Sequence, residues 1–192
     1  MVIVIETERL LLRTWQESDE LPYLRINQDP KVIEFLPGSL TMEQVREFMS
    51  HENEQYYTKG YTLWAACLKE TQELIGFIGL DYTDWPGVDF TPFVDIGWRL
   101  GTQYWGKGYA TEGARAVLNF GFNTCGLDQI VAYTAHANIR SMRVMEKLGM
   151  KLDSKADFAH PSLPADHPLS RHVLYRLSKE EFEKFSLSRY IL

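Results

Sequence analysis

Between Ile96 and Glu112 a strand pattern ends at Leu100, two closely spaced glycines follow at Gly106 and Gly108, and a helical pattern opens at Tyr109 and Ala110. This stretch restricts the fold more than any other part of the chain. A strand that feeds a tight turn and then a helix leaves the first helical N–H groups without partners, and it aims the positive end of the helix at the same point. Such a point is an anion site well suited to a pyrophosphate. Glycine at both positions lets the backbone come close to the phosphates, since a Cβ would hold them off.

The pattern continues as strand, turn, helix, strand, helix, so the strands over 93–100 and 129–134 are expected to run parallel through a helical crossover. Ala110, Ala114, Val117, Leu118 and Gly121 form the apolar stripe of the crossover helix, with Gly126 as its stop. Asn138 caps a second helix whose core face is Met142, Met145 and Leu148, and Gly149 stands at its left-handed C-cap. Upstream, residues 9–13 read as a strand, Ser18 as the N-cap of a short helix carrying Asp19 and Glu20 in its first turn, and Asp29-Pro30 as the start of another helical turn. Thr41 and Gln44 form a capping box for a helix over 42–57, with Met42, Val45, Phe48 and Met49 on one face. Runs at 63–68 and 74–80 make an antiparallel hairpin, and Asp84-Trp85-Pro86-Gly87 is a loop. Downstream come a strand from Lys151, a loop marked by Pro161, Pro164 and Pro168, a strand over 172–177, and a short helix opened by a Ser178 to Glu181 capping box. The expected fold class is α+β (α/β): one domain over 1–192, with a mixed, mostly antiparallel sheet of about seven strands flanked by helices.

Composition narrows the function classes. With 192 residues, 45% hydrophobic and 24% charged, the chain matches one ordinary globular domain. Its first ten residues hold no basic segment or small-residue cleavage site, and no run approaches the ~20 apolar residues of a membrane helix. A cytoplasmic protein without a membrane partner is expected. The net charge of -6 and pI near 5.4 speak against nucleic acid and favour a cationic acceptor such as an amine. Cys67 and Cys125 form no C-x-x-C and are expected as buried reduced thiols; no metal-ligand spacing is present, so no metal is expected.

Three phosphate-binding turns fit a G-x-G before a helix. A P-loop requires Ser or Thr after the lysine, where Lys107 is followed by Gly108. A dinucleotide fingerprint requires a third glycine where Thr111 stands, and an acid closing the next strand, whereas Asp128 precedes it. What remains is the Q-x-x-G-x-G turn of Gln103, Gly106 and Gly108, which resembles the acetyl-CoA motif of the GNAT superfamily. Thr7-Glu8-Arg9-Leu10, Asp29-Pro30, Asp95-Ile96-Gly97-Trp98, the stretch from Trp105 to Glu112, and Asn138-Ile139-Arg140-Ser141 through Glu146-Lys147-Leu148-Gly149-Met150 extend the likeness over nearly the whole chain. They resemble the RimJ/RimL type of ribosomal-protein N-acetyltransferases.

The resemblance implies the GNAT fold, in which a splayed parallel strand pair receives acetyl-CoA as cosubstrate and a primary amine attacks the thioester directly. The amine is a protein N-terminus or a small molecule, and a homodimer is allowed. Backbone groups near Trp98 and Leu100 would hold the pantetheine arm. Gln103, Gly106, Lys107, Gly108, Tyr109, Ala110 and Thr111 would hold the phosphates with Arg143 beside them, and Asn138 would bind the pantetheine arm or serve only as a helix cap. Asp95 stands where several relatives carry a base; the alternative is a sheet-face Asp paired with a neighbouring Arg or Lys. Ser141 resembles a serine presented to the cofactor sulfur, and it equally fits a polar first-turn residue. Many relatives use a tyrosine acid where this chain has Met145. Glu112 complements the helix dipole. His160 and His167, with Asp166 and His172, are candidates for the acceptor side. Rival readings are a GNAT using another acyl-CoA, a non-catalytic acyl-CoA-binding regulator, and an oxidoreductase that NAD rather than CoA would stabilise.

Overall fold

The computed structural model describes residues 1–85, 88 and 90–188. In chain order the strands are β1 (Ile3–Glu6), β2 (Leu10–Arg13), β3 (Leu63–Leu68), β4 (Leu74–Thr83), β5 (Phe93–Leu100), β6 (Gln129–Ala135), β7 (Lys151–Leu152), β8 (Phe158–Ala159) and β9 (Arg171–Ser178). They form one sheet in the order β1-β2-β3-β4-β5-β6-β9-β7, with β8 also pairing β9. Every pairing is antiparallel except β5 with β6, which is parallel.

Period-two alternation sorts the side chains between two faces. Ile78 and Leu80 of β4, Ile96 and Leu100 of β5, and Ile130 and Ala132 of β6 join one core with the helices α3 (Tyr109–Asn123), α4 (Ile139–Lys147) and α5 (Lys179–Ser188). Phe77, Ala65 and Cys67 face the other way, against α1 (Glu20–Gln28) and α2 (Met42–Lys59), with Tyr23, Val45 and Met49. Gly113 fixes how closely α3 lies on the sheet, because a Cβ there would come within 2.4 Å of the Ile78 side chain. The helix start is thereby set directly behind the end of β5.

The crossover, the 63–83 hairpin and the capping boxes Thr41–Gln44 and Ser178–Glu181 are all present. Two expectations change. The sheet has nine strands rather than seven: the apolar run at Ile3–Glu6 pairs with β2, and the segment from Lys151, read as one strand, makes only two-residue contacts at β7 and β8. Ser18 is not a cap; the 3-10 turn Glu17–Asp19 is closed by Gln16 and Asp19, because Asp19 reaches back to the Gln16 N–H. Asp29-Pro30 opens a single turn: Asp29 is extended, its carbonyl accepts from the Val32 and Ile33 N–H groups, and the chain goes on to a second turn on the Ile33 carbonyl rather than into a helix. The Asp84–Gly87 loop is described only to Trp85; Pro86 and Gly87 lie outside the described residues.

One buried ion pair ties β2 to the α1 side. Arg13 and Asp19, 6% and 3% exposed, meet through two hydrogen bonds of 2.6 and 2.7 Å. Removing one member of such a pair strands the other charge in the interior. Asp19→Ala is therefore expected to lower the unfolding free energy by about 3–5 kcal/mol, as measured by urea denaturation.

Candidate active site

The turn after β5 is pinned at its base and open at its tip. The Thr102 hydroxyl donates to Asp29 Oδ2 at 2.7 Å, the Tyr104 phenol donates to Glu73 Oε1 at 2.6 Å, and Trp105 Nε1 donates to the Leu100 carbonyl at 2.7 Å. Gln103, Gly106, Lys107 and Gly108 are exposed, while Tyr109, Ala110 and Thr111 are half-buried in the first turn of α3. Gly106 and Gly108 have φ of +73° and +84°. A Cβ would meet nothing within 4 Å at Gly106 and only Arg9 Nη2, at 3.4 Å, at Gly108. Glycine is thus demanded here by left-handed backbone as much as by approach to a ligand. Among the described residues, the N–H groups of Gly106, Lys107 and Gly108 donate to no protein acceptor. They lie beside the open start of α3, as an anion site requires.

The strands part next to this turn. Gly101 N–H bonds the Ile75 carbonyl on β4, and because ladder bonds alternate along an antiparallel strand, the peptide groups of Trp98 and Leu100 point to the opposite edge of β5. There β6 is in register only at Asp95 and Val131. The Leu100 carbonyl is already taken by Trp105, which leaves its N–H and both Trp98 groups for an added chain. Asn138 caps α4: its Oδ1 accepts from the Ser141 N–H and its Nδ2 donates to the Thr134 hydroxyl. Ser141 is half-buried in the first turn of α4, and Arg143 is exposed one residue before Val144 on the same helix. Arg140, which had no assigned role, lies 4.6 Å over the Trp105 ring and pairs with Glu34, joining α4 to the glycine-rich turn.

Asp95 lies on the α1/α2 face at the position where β5 is in register with β6. It is 7% exposed, and its carboxylate accepts from the Thr83 hydroxyl at 2.8 Å. Its cross-strand neighbour is Asp81, so the Arg or Lys partner of the structural alternative is absent among the described residues. Burial, reinforced by the Asp81 charge against the Thr83 hydrogen bond, pushes its pKa up to about 8. Around it stands an aromatic wall that sequence reading missed apart from its histidines. Tyr133 on β6 lies 5.2 Å from Trp85, 5.9 Å from Phe158 and 6.0 Å from both His160 and His172. Burial raises the Tyr133 phenol well above its ordinary range, with Asp95 and Asp81 adding to the effect. Burial also depresses both His160 and His172, whose rings are 4.9 Å apart. The wall is therefore neutral at pH 7. His167 turns away from it into a separate cavity of about 440 Å³ shared with His136, Asp157 and Arg171, and Asp166 is exposed.

A mixed sheet whose single parallel pair parts beside a glycine-rich turn is the frame, and comparison with known proteins specifies its class. Residues 9–151 match the family described as Acetyltransferase (GNAT) domain. YkkB of Bacillus subtilis (strain 168) is 33% identical over 147 residues, covering 75% of this chain and 83% of that protein. The uncharacterized N-acetyltransferase YnaD of the same organism is 29% identical and covers 93% of this chain and 98% of its own. A GNAT-family acetyltransferase structure from Bacillus anthracis superposes with a TM-score of 0.74 at 28% identity, over 92% of this chain and 98% of that one. The chain belongs to the GNAT acetyltransferase family. It is an acetyltransferase.

The state of Asp95 has a consequence for stability. Its folded pKa of about 8 lies above the ordinary 3.8, so between those values the native chain holds a proton that the unfolded chain releases. Stability must then fall as pH rises through that window, and the contribution of the neutral carboxyl is fully present below it. Asp95→Asn keeps the neutral shape and removes the slope. The difference in Tm between Asp95→Asn and the parent should move in the variant's favour from pH 5 to pH 8, as followed by thermal denaturation across that range.

Proposed function

We propose that this chain transfers the acetyl group of acetyl-CoA directly to a primary amine, acting as a single unit over 1–192 in the cytoplasm. One observation carries the reading: a buried carboxyl of raised proton affinity stands where β5 and β6 part, on the face opposite α3 and α4. In this reading the pyrophosphate rests on the N–H groups of Gly106, Lys107 and Gly108 and on the first turn through Tyr109, Ala110 and Thr111, with Gln103 at its edge. The pantetheine arm adds as a strand to the free edge at Trp98 and Leu100. Arg143 meets the outer phosphates. Asn138 orders the start of α4 beside the arm.

The amine enters from the α1/α2 face. Its nitrogen attacks the thioester carbonyl, which is polarised by a backbone N–H near Trp98; the C–N bond forms, the C–S bond breaks, and the thiolate leaves. An alkylammonium holds its proton far more tightly than an ordinary carboxylate does. Asp95, with its pKa pushed up to about 8, closes most of that gap, and in its ionised form, which grows as pH rises towards that value, it takes the proton. With Met145 where relatives carry a tyrosine acid, Ser141 at the start of α4 donates a hydrogen bond to the leaving sulfur. The net charge of -6 suits a cationic acceptor, and the RimJ/RimL resemblance favours a protein N-terminus or a comparable small amine. His160 lines the approach to Asp95, and His167 lines the neighbouring cavity.

Turnover of acetyl-CoA against N-terminal peptides, polyamines and aminoglycosides, read by thiol release, tests the reading; no thiol release with any amine would remove it. With an accepted amine, Asp95→Asn should lower kcat by roughly 10²–10⁴-fold, and the loss should shrink as rising pH supplies neutral amine. An unchanged pH–rate profile would return Asp95 to a structural role.

Ser141→Ala should lower kcat while leaving the calorimetric affinity for acetyl-CoA unchanged. Full kcat in that variant, under conditions where chemistry limits the rate, would show that the thiolate takes its proton from water or another group.

A further inference from the structure

The β1–β2 turn reaches the glycine-rich turn through one side chain. Arg9 Nη1 donates to the Lys107 carbonyl at 3.0 Å, and its Nε and Nη2 both meet Glu112 Oε2 at 2.6 Å. The second Glu112 oxygen accepts from the Arg9 N–H at 2.9 Å and from the Thr7 hydroxyl at 2.7 Å. The guanidinium also lies 4.6 Å over the Tyr109 ring. Four contacts thus fix one cation against the first turn of α3.

We propose that Arg9 is a positioning residue of the pyrophosphate cradle, holding the Lys107–Gly108 peptide so that the Gly108 N–H faces the anion. This rests on the acetyl-CoA reading above. In a trans peptide the carbonyl and the following N–H point in opposite directions, so a Lys107 carbonyl held by Arg9 sends the Gly108 N–H to the far side of the loop. The peptide needs an outside restraint: glycines at 106 and 108 leave its orientation nearly free, and no other described side chain bonds it. Arg9 also covers the charge of Glu112, which would otherwise stand one helical turn from a phosphate.

The two contributions separate by experiment. Arg9→Ala should weaken calorimetric binding of acetyl-CoA by roughly tenfold to hundredfold, the usual effect of losing a charge-assisted hydrogen bond, with the acceptor KM unchanged. Arg9→Lys should recover part of the loss, and it reads the same quantity should Arg9→Ala fail to fold. The KM for acetyl-pantetheine, which has no pyrophosphate, should not change in either variant. The double variant Arg9→Ala/Glu112→Gln should remain weak. Parent-like acetyl-CoA affinity in folded Arg9→Ala, an equal loss with acetyl-pantetheine, or full recovery in the double variant would each overturn the assignment. Unchanged acetyl-CoA affinity in folded Gly108→Val would instead remove the cofactor reading on which it rests.

Discussion

Parallel strands joined by a helical crossover ordinarily pair along their length, but β5 and β6 hold register at Asp95 and Val131 only. The reason lies on their outer edges. β5 pairs with β4 through all of Phe93 to Leu100, and β6 pairs with β9 through all of Gln129 to Ala135. Each strand follows its outer neighbour, and the two half-sheets diverge. Unpaired backbone groups are costly in the interior, and the divergence leaves the Leu100 N–H and both Trp98 groups without a strand partner among the described residues. The glycine-rich turn, the start of α3 and the cap of α4 all gather around that opening.

The two sides of the sheet carry different chemistry because they are packed differently. Behind it, α3 lies close through Gly113, and Arg9 braces its first turn through Glu112 and the Lys107 carbonyl while Gly106 and Gly108 stay exposed. In front, α1 and α2 cover β2 to β5, while β6 and β9 are covered by aromatic side chains from the connections around them. Asp95 lies at the seam between the two coverings. Burial there, without a cationic partner, is what separates its proton affinity from that of an ordinary surface carboxylate.

Local signals were readable and distant ones were not. The bounds of β5, the stripe of α3, the Asn138 cap and the two capping boxes follow from neighbours in sequence, through periodicity and hydrogen bonds spanning three residues. The pairing of Ile3–Glu6 and the two-residue strands at Lys151 and Phe158 carry too few residues to show any period. In the site, Gln103, Gly106, Gly108 and Asp95 were legible as motif positions. Tyr133, Thr83 and Arg140 were not, because what gives them meaning is contact with Asp95, Trp85 or Trp105 across the fold. Arg9 was visible in the opening Thr7-Glu8-Arg9 without a role, since its partners lie about a hundred residues away. Asp29-Pro30 was legible as the opening of one turn, since an extended aspartate before proline leaves its carbonyl free to accept from the residues that follow.

The aromatic wall has a further consequence. Trp85 and Phe90 precede β5, and Phe158 and His160 stand on a segment held only by short pairings with β9. Loops of this kind tolerate exchange and insertion better than the strands they connect. The donor side, by contrast, is made of strand edges and helix starts that cannot shift without disturbing the core. On the proposed reading, rewriting these two connections would change the amine accepted, while the strand edges and helix starts that take the acyl donor stay as they are.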